Sequence, residues 1–204
     1  MKHFLKKILP LFFIEYIELK MWKRRNYLDN SPTFIKKKIL VNSAVPNAQW
    51  IETGTYEGDT TAFLSKKFPF VHSIEPDLNL FNKAKKKFQG KKVYLYNNVS
   101  ENVLPDLLPK LNGEINFWLD GHFSGGKTFK GDKLCPIEDE LNAISKNLDN
   151  FSKMTILIDD VRCFLSTSSH HDDYPSIDYL VDWARMHKFN WRIEHDIFVM
   201  TKHQ

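Results

Sequence analysis

Five carboxylates stand where apolar, strand-like runs give out: Glu52 after "QWI", Glu75 after "VHSI", Asp120 after "INFWL", and the pair Asp159 and Asp160 after "MTILI". Asn97 and Asn98 hold the same position after "KVYLY", and His122 lies just beyond Asp120. Strand ends that serve only structure have no reason to be polar in concert, so these residues read as one rim that holds a polar ligand. Gly54 and Gly58 follow Glu52 in "ETGTYEGDT" at a spacing looser than GxGxxG. This loop carries no GxxxxGK[ST] run, so a triphosphate cradle there is disfavoured. Glu52 and Glu57 would repel a pyrophosphate and tolerate a ligand carrying ammonium and sulfonium charge. The plainer alternative for this loop is a tight strand-to-helix turn. Glu75 has the position of a carboxylate that accepts the hydroxyls of an adenosine ribose, with Asn98 or Ser100 beside the adenine; the alternative is a solvated strand end. Asp120, Asp159 and Asp160 would repel one another if brought together, which requires a basic partner or a hard metal ion with oxygen ligands. Arg162 could pair with the aspartates and so compete with a metal. His122 could act as a general base or a further ligand, or simply be hydrogen bonded.

Such a rim requires a sheet whose strands all end on one edge, and the chain alternates accordingly. A helix is expected from Ser31 to Asn42, with Ser31 as cap and Pro32 at its first position, followed by strand "AQWIET". Then come helix Asp59 to Phe68, strand "VHSIEP", helix Leu78 to Phe88, strand "KVYLYN", helix Val103 to Leu111, strand "INFWLD", helix Pro136 to Asn147 and strand "MTILIDD". Strict alternation implies right-handed crossovers and a parallel sheet covered on both faces, with ligands outside the carboxyl ends of the strands. The tail departs from this rhythm. "SIDYLVDWARMH" reads as a helix, and "NWRIEHDIFVMTKH" as two strands joined near His195 and Asp196, close enough in sequence to pair antiparallel.

With 204 residues, 42% of them hydrophobic, and a net charge of +4, the chain suits one globular domain, residues 31–204, behind a basic N-terminal arm, residues 1–30. Cys135 and Cys163 lie far apart with no cleavable signal pattern, so the expected setting is a reducing cytoplasm without disulfides. The arm's apolar run is far shorter than the ~20 residues of a membrane span. Leu11, Phe12, Ile14, Tyr16, Ile17 and Leu19, flanked by Lys6, Lys7, Lys20, Lys23, Arg24 and Arg25, would instead suit a helix lying on the anionic inner face of a membrane. A docked amphipathic arm or a homo-oligomer contact, within residues 1–28, is the other reading. Positive charge is split between this arm and "KAKKKF", which argues against a nucleic-acid surface.

Together "WIETGTYEGDTTAFL", "SIEPD", "FWLDGHFSGG" and "ILIDDVRCF" resemble a class I S-adenosylmethionine-dependent methyltransferase. More closely, they are similar to a bacterial group carrying ETGTYxGD, LDGHxSGG, a CP or TP dipeptide before a helix, LIDDxRxF and a DYPS segment. The resemblance covers about residues 32–202, and Thr55, Tyr56 and Glu57 stand where many relatives read GxGxG. It implies a Rossmann-like α/β fold: a mainly parallel seven-stranded sheet with a C-terminal antiparallel pair and helices on both faces. It also implies S-adenosylmethionine held by Glu52, Thr53, Gly54, Thr55, Gly58, Asp59, Thr60, Glu75, Asn98, Ser100 and Asp120. The acidic rim is similar to that of metal-dependent O-methyltransferases, in which Asp120, Asp159 and Asp160 would ligate magnesium and the metal would activate the acceptor oxygen. The alternatives are an acid/base site without metal, or structural carboxylates. Catalysis would fall to Asp120, His122 and Asp159, on a small hydroxylated acceptor such as a sugar or glycan precursor. The glycine-rich run "GHFSGGKTFKGDKLCP" reads as a substrate loop, in which Lys127, Lys130 and Lys133 could meet an anionic acceptor. His170, His171, Asp172 and Asp173 could be taken for a second metal cluster, but a loop flanking the site, with Asp173 and Tyr174 lining the acceptor pocket, is the simpler account. The rivals are a nucleoside-binding protein without transfer activity and a dinucleotide-dependent enzyme.

Overall fold

The computed structural model describes residues 10–27, 30–121, 134–165 and 173–203. A helix α1 (Leu11–Arg24) and a helix α2 (Thr33–Ser43) precede the sheet. The chain then runs β1 (Gln49–Thr53), α3 (Asp59–Leu64), β2 (Val71–Ile74), α4 (Leu78–Lys87), β3 (Val93–Tyr96), α5 (Ser100–Leu107), β4 (Gly113–Leu119), α6 (Ile137–Ser145), β5 (Phe151–Ile158), α7 (Val161–Phe164), α8 (Ile177–Met186), β6 (Asn190–Glu194) and β7 (Ile197–His203). The seven strands form one sheet in the order β3-β2-β1-β4-β5-β7-β6. Strands β1 to β5 are parallel, whereas β7 runs antiparallel to both β5 and β6. The parallel-plus-antiparallel expectation holds, and the β6–β7 turn falls at His195 and Asp196, with His195 at φ +56°.

Successive strand residues point to opposite faces, and each face buries its own cluster. Ile51, Phe117, Ile156 and Met200 pack with Leu104 of α5, Leu141 of α6 and Leu180 of α8. On the other face Trp50, Trp118, Leu157 and Val199 pack with Ile39 and Leu40 of α2 and Leu64 of α3. Two buried polar residues fix the end of α2 to the sheet. Asn116 accepts from the Val45 N–H (2.8 Å) and donates to its carbonyl (3.1 Å), and Thr155 donates to the Ser43 carbonyl (2.9 Å). These bonds satisfy main-chain groups left over where the helix stops.

Several helix boundaries differ from expectation. Helix α2 begins at Thr33 with Pro32 as its N-cap and no side-chain cap bond, so Ser31 does not cap it. Helix α5 starts earlier, at Ser100, with Val99 as its N-cap and no side-chain cap bond; just ahead of it the Asn98 side chain accepts from the Val99 N–H (2.9 Å) and from the Asn102 side chain (3.3 Å). It gives way to a 3-10 turn at Leu108–Lys110, where Pro109 supplies no N–H. Helix α3 stops at Leu64 rather than Phe68. In the arm, α1 buries Trp22, whose ring meets Tyr27 (4.7 Å between centroids) and His195 of the hairpin turn (5.1 Å) edge-on. Phe12, Phe13, Tyr16, Ile17, Leu19 and Met21 remain exposed. No described helix is long and apolar enough to cross a membrane.

Candidate functional site

In this strand order the chain's direction of travel reverses between β1 and β4, and open α/β sheets bind ligands at that point, outside the strands' carboxyl ends. The register says which residues meet there. Thr53 pairs with Ile74 on one side and Leu119 on the other, so the next residues, Gly54, Glu75 and Asp120, lie side by side. Hydrogen bonds fix the row: Gly54 N–H to the Ile74 carbonyl (3.0 Å) and Asp120 N–H to the Thr53 carbonyl (3.2 Å). Gly54 has φ +82°, and a Cβ there would fall on the Asp120 carbonyl oxygen and lie 3.0 Å from its carbon. Glycine is therefore required twice over, by conformation and by close approach.

The loop after Gly54, whose path the sequence left open, is a turn closed by the Gly58 N–H on the Thr55 carbonyl (2.8 Å), with Tyr56 left-handed at φ +50°. Glu75 pins it. One carboxylate oxygen accepts from the Tyr56 N–H (2.7 Å) and the other from the Asp77 N–H (3.0 Å). Burial raises the Glu75 pKa against the opposing pull of these two amides. Gly58 is left-handed at φ +71° and would carry a Cβ 2.8 Å from the Phe88 ring, while Lys87 reaches the Glu57 carbonyl (2.6 Å) and Asp59 (3.1 Å). Glu52 lies beneath the loop on the α3 face, 1% exposed, and accepts from Thr61 (2.5 Å) and Ser73 (2.6 Å). Burial pushes its pKa up to about 7, although both hydroxyls pull it down.

The expected cofactor residues thus divide by position. Gly54, Glu75 and Asp120 form the row at the switch point. Glu52, Thr53 and Thr55 are buried and act on that row from below; Thr53 through its contact with the Asp120 N–H (3.2 Å) and Thr55 through Ser73 (2.6 Å). Gly58, Asp59 and Thr60 open α3, and Asp59 is exposed. Asn98 and Ser100 stand at the end of β3 beyond Glu75, where Ser100 is buried and Asn98 accepts from the Val99 N–H just ahead of α5.

Asp159 follows β5 beside Asp120, its N–H on the Leu119 carbonyl (3.1 Å), and Asp160 is left-handed at φ +57°. Asp159 shares a face with Thr155 and Leu157, the face that α2 covers. From α2, Lys36 forms an ion pair with Asp159 and lies 3.5 Å from Asp160. Burial alone would lower the Lys36 pKa, but Asp159, Asp160 and Asp120 outweigh it and hold the amine above the ordinary lysine value. Arg162 donates to Asp160 (2.8 Å) and pairs with Asp196 of the hairpin turn, whose other oxygen accepts the Arg162 N–H (3.0 Å). The magnesium expectation for Asp120, Asp159 and Asp160 does not fit this donor set. Two cations of the chain itself already pair with Asp159 and Asp160, and among the described residues no group of three His, Cys, Asp or Glu could hold a metal ion.

The sequence analysis did not single out Lys36, one of three consecutive lysines at 36–38. The available signal was its spacing: Lys36 sits one helical turn ahead of Ile39 and Leu40, on the buried stripe of α2. Tyr174 stacks edge-on against Phe164 (5.2 Å), and Asp173 accepts from the Leu134 N–H (3.1 Å). Burial raises the Tyr174 pKa, with Asp120 and Asp160 near enough to add to the shift. Cys135 and Cys163 are free and buried. His122, Lys127, Lys130, Lys133, His170, His171 and Asp172 lie outside the described residues.

Neither a protein-family model nor a curated protein sequence matches the chain. Solved structures do. An O-methyltransferase from Bacillus cereus in complex with S-adenosylhomocysteine is similar at 13% identity and a TM-score of 0.56, over 100% of this chain and 96% of that one. A methyltransferase from Geobacter sulfurreducens is similar at 10% identity and 0.54, over 99% and 94%. The 23S rRNA methyltransferase ErmE is similar at 14% identity and 0.53, over 86% and 69%. At these identities the likeness is one of architecture: the chain has the Rossmann-like fold of class I methyltransferases, a mostly parallel seven-stranded sheet ending in an antiparallel pair.

Proposed function

We propose that the protein transfers a methyl group from S-adenosylmethionine to a hydroxyl of a small acceptor, a sugar or glycan precursor. One observation carries this reading: Gly54, Glu75 and Asp120 adjoin at the switch point of a methyltransferase-type sheet, with the Asp159–Lys36–Asp160 cluster one strand away. The donor set suits a nucleoside carrying a cationic sulfur. Each Glu75 oxygen takes one main-chain N–H and keeps an acceptor position for a ribose hydroxyl. The close-packed Gly54 leaves the loop wall without a side chain at that point.

When bound, S-adenosylmethionine supplies a methyl group on a positively charged sulfur. In this reading Glu75 orients the ribose, and Asp120 lies between nucleoside and acceptor. Asp120 accepts the proton of the acceptor hydroxyl while its oxygen bonds the methyl carbon and the carbon–sulfur bond breaks. The products are a methyl ether, S-adenosylhomocysteine and the proton held by Asp120. Most of the rate gain comes from holding oxygen, carbon and sulfur in line. We also read α1 as the part that meets an anionic membrane surface. Exposed Phe12, Tyr16 and Leu19 share one side of the helix with Lys23, and Lys20 lies over the Tyr16 ring (5.6 Å).

Calorimetry with S-adenosylmethionine and S-adenosylhomocysteine tests the donor. Heat with both supports the reading, no heat with either removes it, and heat with NAD alone would favour a dinucleotide enzyme. Mass spectrometry of a host glycan and metabolite extract incubated with protein and labelled donor then tests transfer. Label on an oxygen of a small acceptor is expected, whereas donor binding with no labelled product would leave a nucleoside-binding protein.

A further inference from the structure

The cluster after β5 has the carboxylates of a divalent-cation site, and the chain fills it with an amine. Asp159 and Asp160 are 2% and 5% exposed, and both face Lys36, whose side chain is itself only 18% exposed. Lys36 does not get there by chance of a flexible stem. Helix α2 is fastened to the sheet at its far end by Asn116 and Thr155, and Ile39 and Leu40 lie against Trp50, Trp118 and Leu157. The stripe that buries those two residues carries Lys36 to the end of β5. Arg162 holds Asp160 from the other side and is anchored on Asp196, so turning either aspartate away breaks an ion pair within the cluster.

We propose that Lys36 is the resident cation of this site, standing where a divalent metal would otherwise bind, and that the protein works without one. A metal entering the cluster would have to expel an ammonium from between two buried carboxylates, against like-charge repulsion. Lys36 is a positioning residue. An ammonium has three N–H donors; Asp159 and Asp160 account for two, which leaves one for a single acceptor oxygen. A metal ion chelates two neighbouring oxygens, whereas Lys36 offers a single point of contact. The site therefore selects acceptors without requiring a vicinal diol. Only that last step rests on the methyl-transfer reading; the exclusion of metal stands on the cluster itself.

The test is titration of the full-length protein with Mn2+, followed by the electron paramagnetic resonance signal of the free ion, which needs neither donor nor acceptor. The wild-type protein is expected to leave the signal unchanged. Lys36→Met, which keeps the apolar stem and removes the charge, is expected to gain one Mn2+ site at least about tenfold tighter than any wild-type binding. Adding Asp159→Asn is expected to abolish that gain. A purely structural lysine would not expose a metal site on removal. Lys36→Gln serves the same purpose should Lys36→Met fold poorly, with circular dichroism checking both. Wild-type Mn2+ binding that is lost in Asp159→Asn overturns the proposal, and so does a folded Lys36 variant that binds no more Mn2+ than the wild type.

Discussion

Glu52 links the buried chemistry under the loop to a measurable pH dependence. Its carboxylate is 1% exposed, and its pKa is raised from 4.5 to about 7, chiefly by burial. The unfolded chain keeps the ordinary value. Between the two pKa values the folded protein holds a proton on Glu52 that the unfolded chain has lost, so stability falls as pH rises. The contribution is complete below the unfolded value and gone above the folded one. A shift of this size corresponds to about 3 kcal/mol. Glu52→Gln keeps an oxygen that can accept from Thr61 and Ser73 but cannot ionise. Urea unfolding of both proteins across the range from about pH 4 to about pH 8 gives the difference directly, because groups common to both cancel. The wild type is expected to lose about 3 kcal/mol relative to the variant on going up that range. A difference that stays flat to within about 0.5 kcal/mol, or that runs the other way, refutes the assignment of Glu52 as a buried, proton-holding carboxylate.

Four further outcomes can be checked. Gly54→Ala must place a Cβ on the Asp120 carbonyl at φ +82°, and is expected to cost about 2 kcal/mol or more in urea unfolding and to weaken S-adenosylhomocysteine binding in calorimetry. Glu75→Gln exchanges a charged acceptor for a neutral one and is expected to weaken S-adenosylhomocysteine roughly 10- to 100-fold by the same measurement. Asn116→Leu leaves the Val45 N–H buried without its partner and its carbonyl with only the Ala48 N–H (3.4 Å), and should lower unfolding free energy by about 1–3 kcal/mol. Deleting residues 1–28 is expected to reduce co-sedimentation with anionic liposomes while leaving donor affinity intact; equal sedimentation of both forms would make α1 a packing element only, held by Trp22 against His195.

Alternation of apolar runs with helical spacing was legible along the whole core because each run is bounded by a turn or cap residue. The antiparallel tail followed from the short connection at His195 and Asp196. The candidate row was legible for the same reason: a polar residue that ends a buried strand must lie at the sheet's edge, so Glu75, Asp120 and Asp159 could be assigned to one rim. Depth was not legible. Glu52 and Glu75 both follow apolar runs, yet Glu52 sits beneath α3, bonded to Thr61 and Ser73, while Glu75 braces the loop at the rim. Strand parity separates them only once it is known which helix covers which face. The start of α5 was missed because its N-cap, Val99, is an apolar residue that makes no side-chain cap bond.

The residue types alone determined an open α/β sheet, its acidic edge and the need for a positive partner there, since three gathered aspartates cannot remain uncompensated. Only the tertiary structure decided which positive partner. Lys36 lies far from Asp159 along the chain, and nothing local to either residue brings them together. They meet because the buried stripe of α2 and the parity of β5 share one face of the sheet, a relation that exists only once helix and strand are packed.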